Sequence, residues 1–155
     1  MLRHATFAAV LALATFATAA YAADADTDAK QKIENNLERV RTVHQHEDAV
    51  AFAQMFTPDG VLIGITGKVF HGRDEITKAM QVVYANLGGV KKFDDAVDEA
   101  HALPDGTIWS FGHAKFTGGQ KTIANHWVVL GVAAGDSVQI KMLVIGIDMP
   151  PPETK

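Results

Sequence analysis

The order of secondary-structure patterns is the feature that most constrains this chain: helical patterns fill its first half and strand patterns its second. Apolar residues recur at helical spacing from Ile33, a short second helix follows Asp48, and a third helix starts within HGRDEI at 71–76. One apolar, β-branched strand, VLIGIT at 61–66, separates the second helix from the third. Helices that precede a run of strands indicate the α+β class.

The second half of the chain predicts four further strands. They are a charged segment at 90–103, TIWSFGHAKF at 107–116, KTIANHWVVLGV at 121–132 and VQIKMLVIGI at 138–147, separated by glycine-containing turn signals. Short turns between successive strands predict an antiparallel sheet. We therefore expect a strongly curved antiparallel sheet wrapped around three N-terminal helices that each bury one stripe, with a pocket left between the two layers.

The N-terminus has the composition of an export signal. Arg3 is followed by a short apolar run, and AYA at 20–22 matches a small-residue cleavage site. We expect residues 1–22 to be a signal peptide, residues 23–149 to form one domain, and residues 150–155 to be a tail. The domain would then be periplasmic or secreted, with no membrane attachment after cleavage.

Composition excludes several classes of function. The formal charge is −4, and removal of residues 1–22 takes away one base and no acid, which makes it −5. An acidic chain lacks the basic surface that nucleic-acid binding needs. The chain has no cysteine, which excludes disulfides, thiolate metal sites and cysteine nucleophiles. The segment HQHED at 44–48 lacks the helical zinc spacing, so we expect neither a metal nor a cofactor.

The region from 48 to 80 contains a recognisable set of motifs. They are Asp48, Met55-Phe56, Asp59-Gly60, the strand at 61–66, and Gly72-Arg73-Asp74-Glu75-Ile76. In these residues the chain resembles the SnoaL-like branch of the nuclear transport factor 2-like superfamily. The resemblance extends over nearly all of residues 28–148. It implies a cone-shaped, ketosteroid-isomerase-like α+β barrel with an apolar pocket, often dimeric, but no particular reaction. It leads us to expect a homodimer that binds a small apolar or aromatic molecule.

Steroid isomerases of this superfamily use a base, an oxyanion tyrosine and a second acid. Spacing from Phe56 puts the base at Gly64, the tyrosine at Val40 and the second acid near Asn125. Gly64 and Val40 cannot move a proton, and an asparagine can donate a hydrogen bond but is not an acid. The resemblance therefore does not extend to the steroid isomerase mechanism.

The strand at 121–132 carries the strongest candidate site residues. Asn125 and Trp127 alternate onto one face, where they would supply a polar anchor and a flat wall to a ligand pocket. His113, on the preceding strand, is a candidate general base, with Asn125 as a candidate oxyanion donor. A two-residue turn at Gly118-Gly119 would put Ala124 opposite His113, whereas a longer loop would put Asn125 there.

Three further residues are candidates for ligand contact. They are Leu62 on the first strand, His71 at the start of the third helix, and Tyr84 on the apolar stripe of that helix. The acidic run of Asp94, Asp95, Asp98 and Glu99 is interpreted instead as a solvated edge strand.

Three functions remain open on the sequence alone. The first is an isomerase- or lyase-type acid–base enzyme, the second is a non-catalytic domain that binds a small apolar ligand, and the third is a dimerisation module. A histidine and an amide converging in one closed cavity would favour the enzyme.

Overall fold

The computed structural model describes the backbone of residues 6–119 and 121–147, and side chains from residue 23 onward within those ranges. The helices are α1 (Thr6–Gln45), α2 (Ala49–Gln54) and α3 (Gly72–Leu87). The strands are β1 (Phe56–Ile63), β2 (Val69–His71), β3 (Val90–Ala102), β4 (Thr107–Gly118), β5 (Lys121–Ala134) and β6 (Ser137–Ile147).

The ends of the chain lie largely outside this description. Residues 1–5 and the expected tail at 150–155 are not described, and residues 6–22 of the expected signal peptide are described only as backbone of α1. Within the described ranges, no helix combines the length and hydropathy needed to cross a membrane. The boundary at residue 22 stays a prediction.

All six strands form one sheet in the order β2-β1-β6-β5-β4-β3. The prediction of an α+β fold, with helices ahead of a curved sheet, is confirmed. The sheet is mixed rather than wholly antiparallel, because the last strand joins β1 in parallel while the other pairs are antiparallel. Register shifts in β1, in β3 and between β5 and β6 are the kind of irregularity that bends strands and increases the curvature of a sheet.

The first strand differs from its prediction at both ends. Helix α2 stops at Gln54, and β1 begins two residues later at Phe56. Pro58, Asp59 and Gly60 therefore belong to β1, where its register against β6 shifts, and do not form a separate turn before the strand. At its other end β1 stops at Ile63, because the chain then turns back into β2, which the sequence did not predict.

Polar side chains fix the helices to the sheet. The buried Asn36 amide of α1 donates to Val138 O (2.7 Å) and accepts from Val138 N (3.1 Å). The Arg73 guanidinium of α3 donates twice to Phe56 O, at 2.9 and 2.6 Å. These bonds hold α1 and α3 over the concave face of the sheet, and the space they enclose contains the candidate site.

Candidate ligand-binding cavity

A cavity of about 750 Å³ lies between the concave face of the sheet and helices α1 and α3. Its wall is mostly apolar and includes Val40, Leu62, Met80 and Trp127. Lining residues that are also exposed lie on α3 and on the turn between β1 and β2, as in Ile65 and Val82. The cavity therefore opens to solvent between α3 and that turn, and its size is ordinary for a small-molecule site.

Three of the candidate ligand-contact residues line this cavity. Asn125 and Trp127 are 6% exposed and share the concave face, and Leu62 reaches the cavity from β1. Tyr84 and His71 lie elsewhere. The Tyr84 hydroxyl is bonded to His44 inside the core, and the exposed His71 precedes α3, where its backbone N–H donates to Glu75.

His113 lies on the opposite face of the sheet from Asn125. Strand β4 ends at Gly118 and β5 begins at Lys121, so the two-residue loop falls one position later than expected. His113 therefore pairs with His126, and neither predicted register is correct. The His113 side chain is 56% exposed, and its Nδ1 lies 3.0 Å from Asp98 Oδ1. His113 and Asn125 therefore do not converge in one cavity, which is the arrangement that would have favoured the enzyme.

The positions that correspond to the steroid isomerase groups all line the cavity. They are Val40 on α1, Gly64 at the end of β1, and Asn125 on β5. At Gly64 a side chain would have room, since a Cβ atom added there would lie 3.7 Å from its nearest neighbour. The cavity thus has the expected placement of these positions, without a proton-transfer group at the first two.

Asp95 brings a carboxylate to the cavity wall, contrary to its interpretation as a solvated residue. Its side chain is 0% exposed, and its Oδ1 accepts a hydrogen bond from Arg41 Nε at 2.5 Å. Burial raises the pKa of Asp95, whereas the Arg41 guanidinium opposes that rise. Asp95 alternates with Phe93 and Val97 along β3, a period-two signal that could have placed it on the inner face.

The indole of Trp127 lies across Gly112 of the neighbouring strand. A Cβ at Gly112 would overlap both Trp127 Cζ2 and the backbone oxygen of Ala96 on β3. Glycine at this position therefore allows the ring to reach toward β3 and form part of the cavity wall.

His44 lines the cavity and is paired with Tyr84 in the core behind the wall. The Nδ1 of His44 lies 2.7 Å from the Tyr84 hydroxyl, and aromatic rings surround the imidazole, with those of Phe93 and Phe116 at centroid distances of 4.5 and 4.7 Å. Burial lowers the pKa of His44 to about 3, so the ring that lines the cavity is neutral at neutral pH. No cluster of three or more His, Asp or Glu side chains suited to a metal ion occurs in the described part of the chain.

Solved structures with the same arrangement of elements identify the fold. No protein-family model and no curated protein matches the chain. Aln2 from a Streptomyces species is 17% identical with a TM-score of 0.66, covering 76% of this chain and 89% of its own. An NTF-2 like protein of unknown function from Shewanella oneidensis shares the arrangement; it is 19% identical, with a TM-score of 0.63 over 74% of this chain and 96% of that one. This chain has the nuclear transport factor 2-like fold.

A further structure agrees with that assignment. A ketosteroid isomerase-like protein from Erwinia carotovora atroseptica is 18% identical, with a TM-score of 0.64 over 78% of this chain and 97% of that one. At such identities the likeness establishes the nuclear transport factor 2-like fold, and the chemistry has to be argued from the cavity itself.

Proposed function

We propose that this protein binds a small, largely apolar molecule in the cavity between its sheet and helices. The observation that carries the proposal is an apolar cavity of about 750 Å³ that opens to solvent beside α3. Burial of apolar ligand surface contributes about 25 cal/mol per Å² removed from water, before the cost of association is counted. An aromatic molecule of one or two rings is a suitable size for such a site.

The side chains of the cavity favour binding over catalysis by the steroid isomerase route. Gly64 and Val40 offer no titratable group, and His113 lies outside the cavity on the other face of the sheet. A second candidate function is acid–base catalysis of isomerase or lyase type, and Asp95 is the observation that favours it. Its carboxylate lines the cavity, and burial raises its pKa above the ordinary value, which is the direction that favours a general base.

The two tryptophans allow a direct test of binding. Trp127 lines the cavity, whereas Trp109 lies outside it, stacked between His101 and Phe111. In Trp109→Phe, titration with the neutral heavy-atom quencher 4-bromotoluene should quench the remaining tryptophan saturably. The matched variant Trp127→Phe retains only the outer tryptophan, and we expect its quenching to be weak and unsaturable. Equal quenching in the two variants would contradict binding in the cavity.

We also propose that the protein is exported and that residues 1–22 are removed. The first described side chains of α1 already join the rest of the domain. Asp26 Oδ1 accepts from Ala102 N at 2.9 Å, and Ala29 and Ile33 are buried in the core. A domain that starts at Ala23 therefore keeps these contacts. Intact-mass measurement on the protein from a bacterial periplasm should find Ala23 as its first residue; the uncleaved mass would contradict export with cleavage.

A homodimer through the outer face of the sheet is the oligomeric state we propose. That face carries the stacked rings of Trp109 and Phe111, and Val128 on it is 45% exposed. Val128→Glu should shift the protein toward a monomer in light scattering, because it puts a charge into the interface. Val50→Glu, on α2 and 55% exposed, is the control that should leave the mass unchanged.

A further inference from the structure

Two buried polar atoms on residues that line the cavity have no hydrogen-bond partner among the described residues. One is Asp95 Oδ2, an acceptor, and the other is Trp127 Nε1, a donor. A buried polar atom without a partner costs about 1–3 kcal/mol, and more where the group is charged. Two complementary unsatisfied atoms in one cavity wall indicate a ligand group that satisfies them both.

The sheet brings these two residues to the same part of the wall. Asp95 lies opposite Ala114, and Ala114 lies opposite Asn125, so these three residues form one row on the concave face. Trp127 lies in the next row, opposite Gly112, and its ring extends over that glycine toward the backbone of Ala96. The indole itself fills the space over Gly112, whereas the small side chain of Ala114 lines the cavity and leaves room between Asp95 and Asn125.

Arg41 determines the chemical character of the Asp95 oxygen that has no partner. Its Nε donates to Asp95 Oδ1 at 2.5 Å, and its Nη2 donates to the Asp95 backbone oxygen at 3.3 Å. The guanidinium favours the ionised carboxylate, so Oδ2 is a hydrogen-bond acceptor. Arg41 also pairs with Glu38 at 2.6 Å, but that carboxylate is 73% exposed and hydrated. The buried pair of Asp95 and Arg41 carries no net charge, so this end of the cavity is polar without a buried unpaired ion.

We propose that the cavity selects neutral apolar molecules that carry a hydroxyl group. The hydroxyl donates to Asp95 Oδ2 and accepts from Trp127 Nε1–H, because a hydroxyl is both donor and acceptor. An ammonium has no acceptor for the indole, and a carboxylate has no donor for Asp95 and adds a second negative charge beside it. Either ion also loses its hydration on entering an apolar cavity. This inference rests on the proposed binding function and names the ligand class.

A series of three quenchers of similar size tests this selection. 4-Bromotoluene, 4-bromophenol and 4-bromobenzoate differ in one substituent, and their binding is measured by quenching of Trp127 in Trp109→Phe. A hydrogen bond to a charged group is worth roughly 1.5–3 kcal/mol, so the phenol should bind about tenfold or more tightly than the toluene. The benzoate should bind more weakly than either.

Substitution of Asp95 tests whether its carboxylate causes the preference for the phenol, and substitution of the adjacent Asp94 is the matched control. In Asp95→Asn we expect the preference for the phenol to fall to within about threefold, since the charged acceptor is lost. Asp94→Asn removes an acid that is 51% exposed and paired with Lys92, and it should retain the full preference. If Asp95→Asn does not fold, ligand binding to Trp127→Phe can be measured by the shift in melting temperature, and that variant should show the same loss of preference for the phenol.

The possible results separate this inference from the proposal on which it rests. Saturable binding of 4-bromotoluene without a preference for the phenol would overturn the hydroxyl selection and leave the binding function standing. A preference that survives in Asp95→Asn would overturn the role of Asp95. Failure of all three compounds to bind would overturn both proposals.

Discussion

The buried pair of His44 and Tyr84 predicts that the fold loses stability in acid. His44 is 3% exposed, its Nδ1 is 2.7 Å from the Tyr84 hydroxyl, and burial lowers its pKa from 6.5 to about 3. The folded protein therefore keeps this imidazole neutral over a pH range in which the unfolded chain protonates it. Protonation in the folded state would put a charge among aromatic rings, where its desolvation is not compensated.

The sign and size of the effect follow from the two pKa values. Because the unfolded chain takes up the proton near 6.5 and the folded protein only near 3, the stabilising contribution is complete above 6.5 and falls as the pH decreases toward 3. Lowering the pH to about 4 covers about 2.5 pH units of this interval, and each unit is worth about 1.4 kcal/mol. The free energy of unfolding should therefore fall by about 3 kcal/mol through His44 between about pH 8 and about pH 4.

Urea unfolding at the two pH values measures this contribution. The double variant His44→Phe/Tyr84→Phe removes both members of the polar pair, and its loss of stability in acid should be smaller than that of the wild type by about 3 kcal/mol. His46→Gln, at an exposed position beyond the end of α1, should behave as the wild type. The raised pKa of Asp95 acts in the opposite direction but is present in all three proteins and cancels. If the double variant loses as much stability in acid as the wild type, the assignment to His44 is wrong.

Two further changes test the packing of the cavity wall and the local capping. Gly112→Ala should lower the free energy of unfolding in urea by roughly 1–3 kcal/mol, because the new methyl group meets Ala96 O and the Trp127 ring. Gly64→Ala, where the nearest atom is 3.7 Å from the new methyl group, should change it by no more than about 0.5 kcal/mol. Equal effects of the two substitutions would show that the ring does not lie on Gly112. Asp48→Ala should cost about 1 kcal/mol by circular-dichroism melting, since the Asp48 carboxylate accepts a hydrogen bond at the start of α2, and Asp48→Asn should recover most of that loss.

Local patterns in the sequence were sufficient to predict most of the elements. The glycine pair Gly88-Gly89 is a helix stop signal in the sequence, and Gly88 has the left-handed φ of 67° that terminates α3. Asp48 was expected to open the second helix, and it caps α2. The alternation in the sequence put Asn125 and Trp127 on one face of a strand, and both residues line the cavity. Periodicity, capping and turn chemistry act over a few residues, so a single sequence contains them.

Contacts between distant segments decided the strand register and the burial of charges, which the alternation of residues alone does not determine. Neither predicted hairpin register allowed for a loop one position later, and that difference put His113 opposite His126 on the outer face. Asp95 lay in a run of acids that looked solvated, yet Arg41, 54 residues earlier in the chain, pairs with it in the cavity wall. The order of the three helices and of the described strands other than β2 was thus determined by the sequence itself. Tertiary packing decided which side chains meet in the cavity, because the direction of side chains in a strand reverses with each residue and so depends on the strand register. It also decided which charges are buried, because a buried charge needs a partner from elsewhere in the chain.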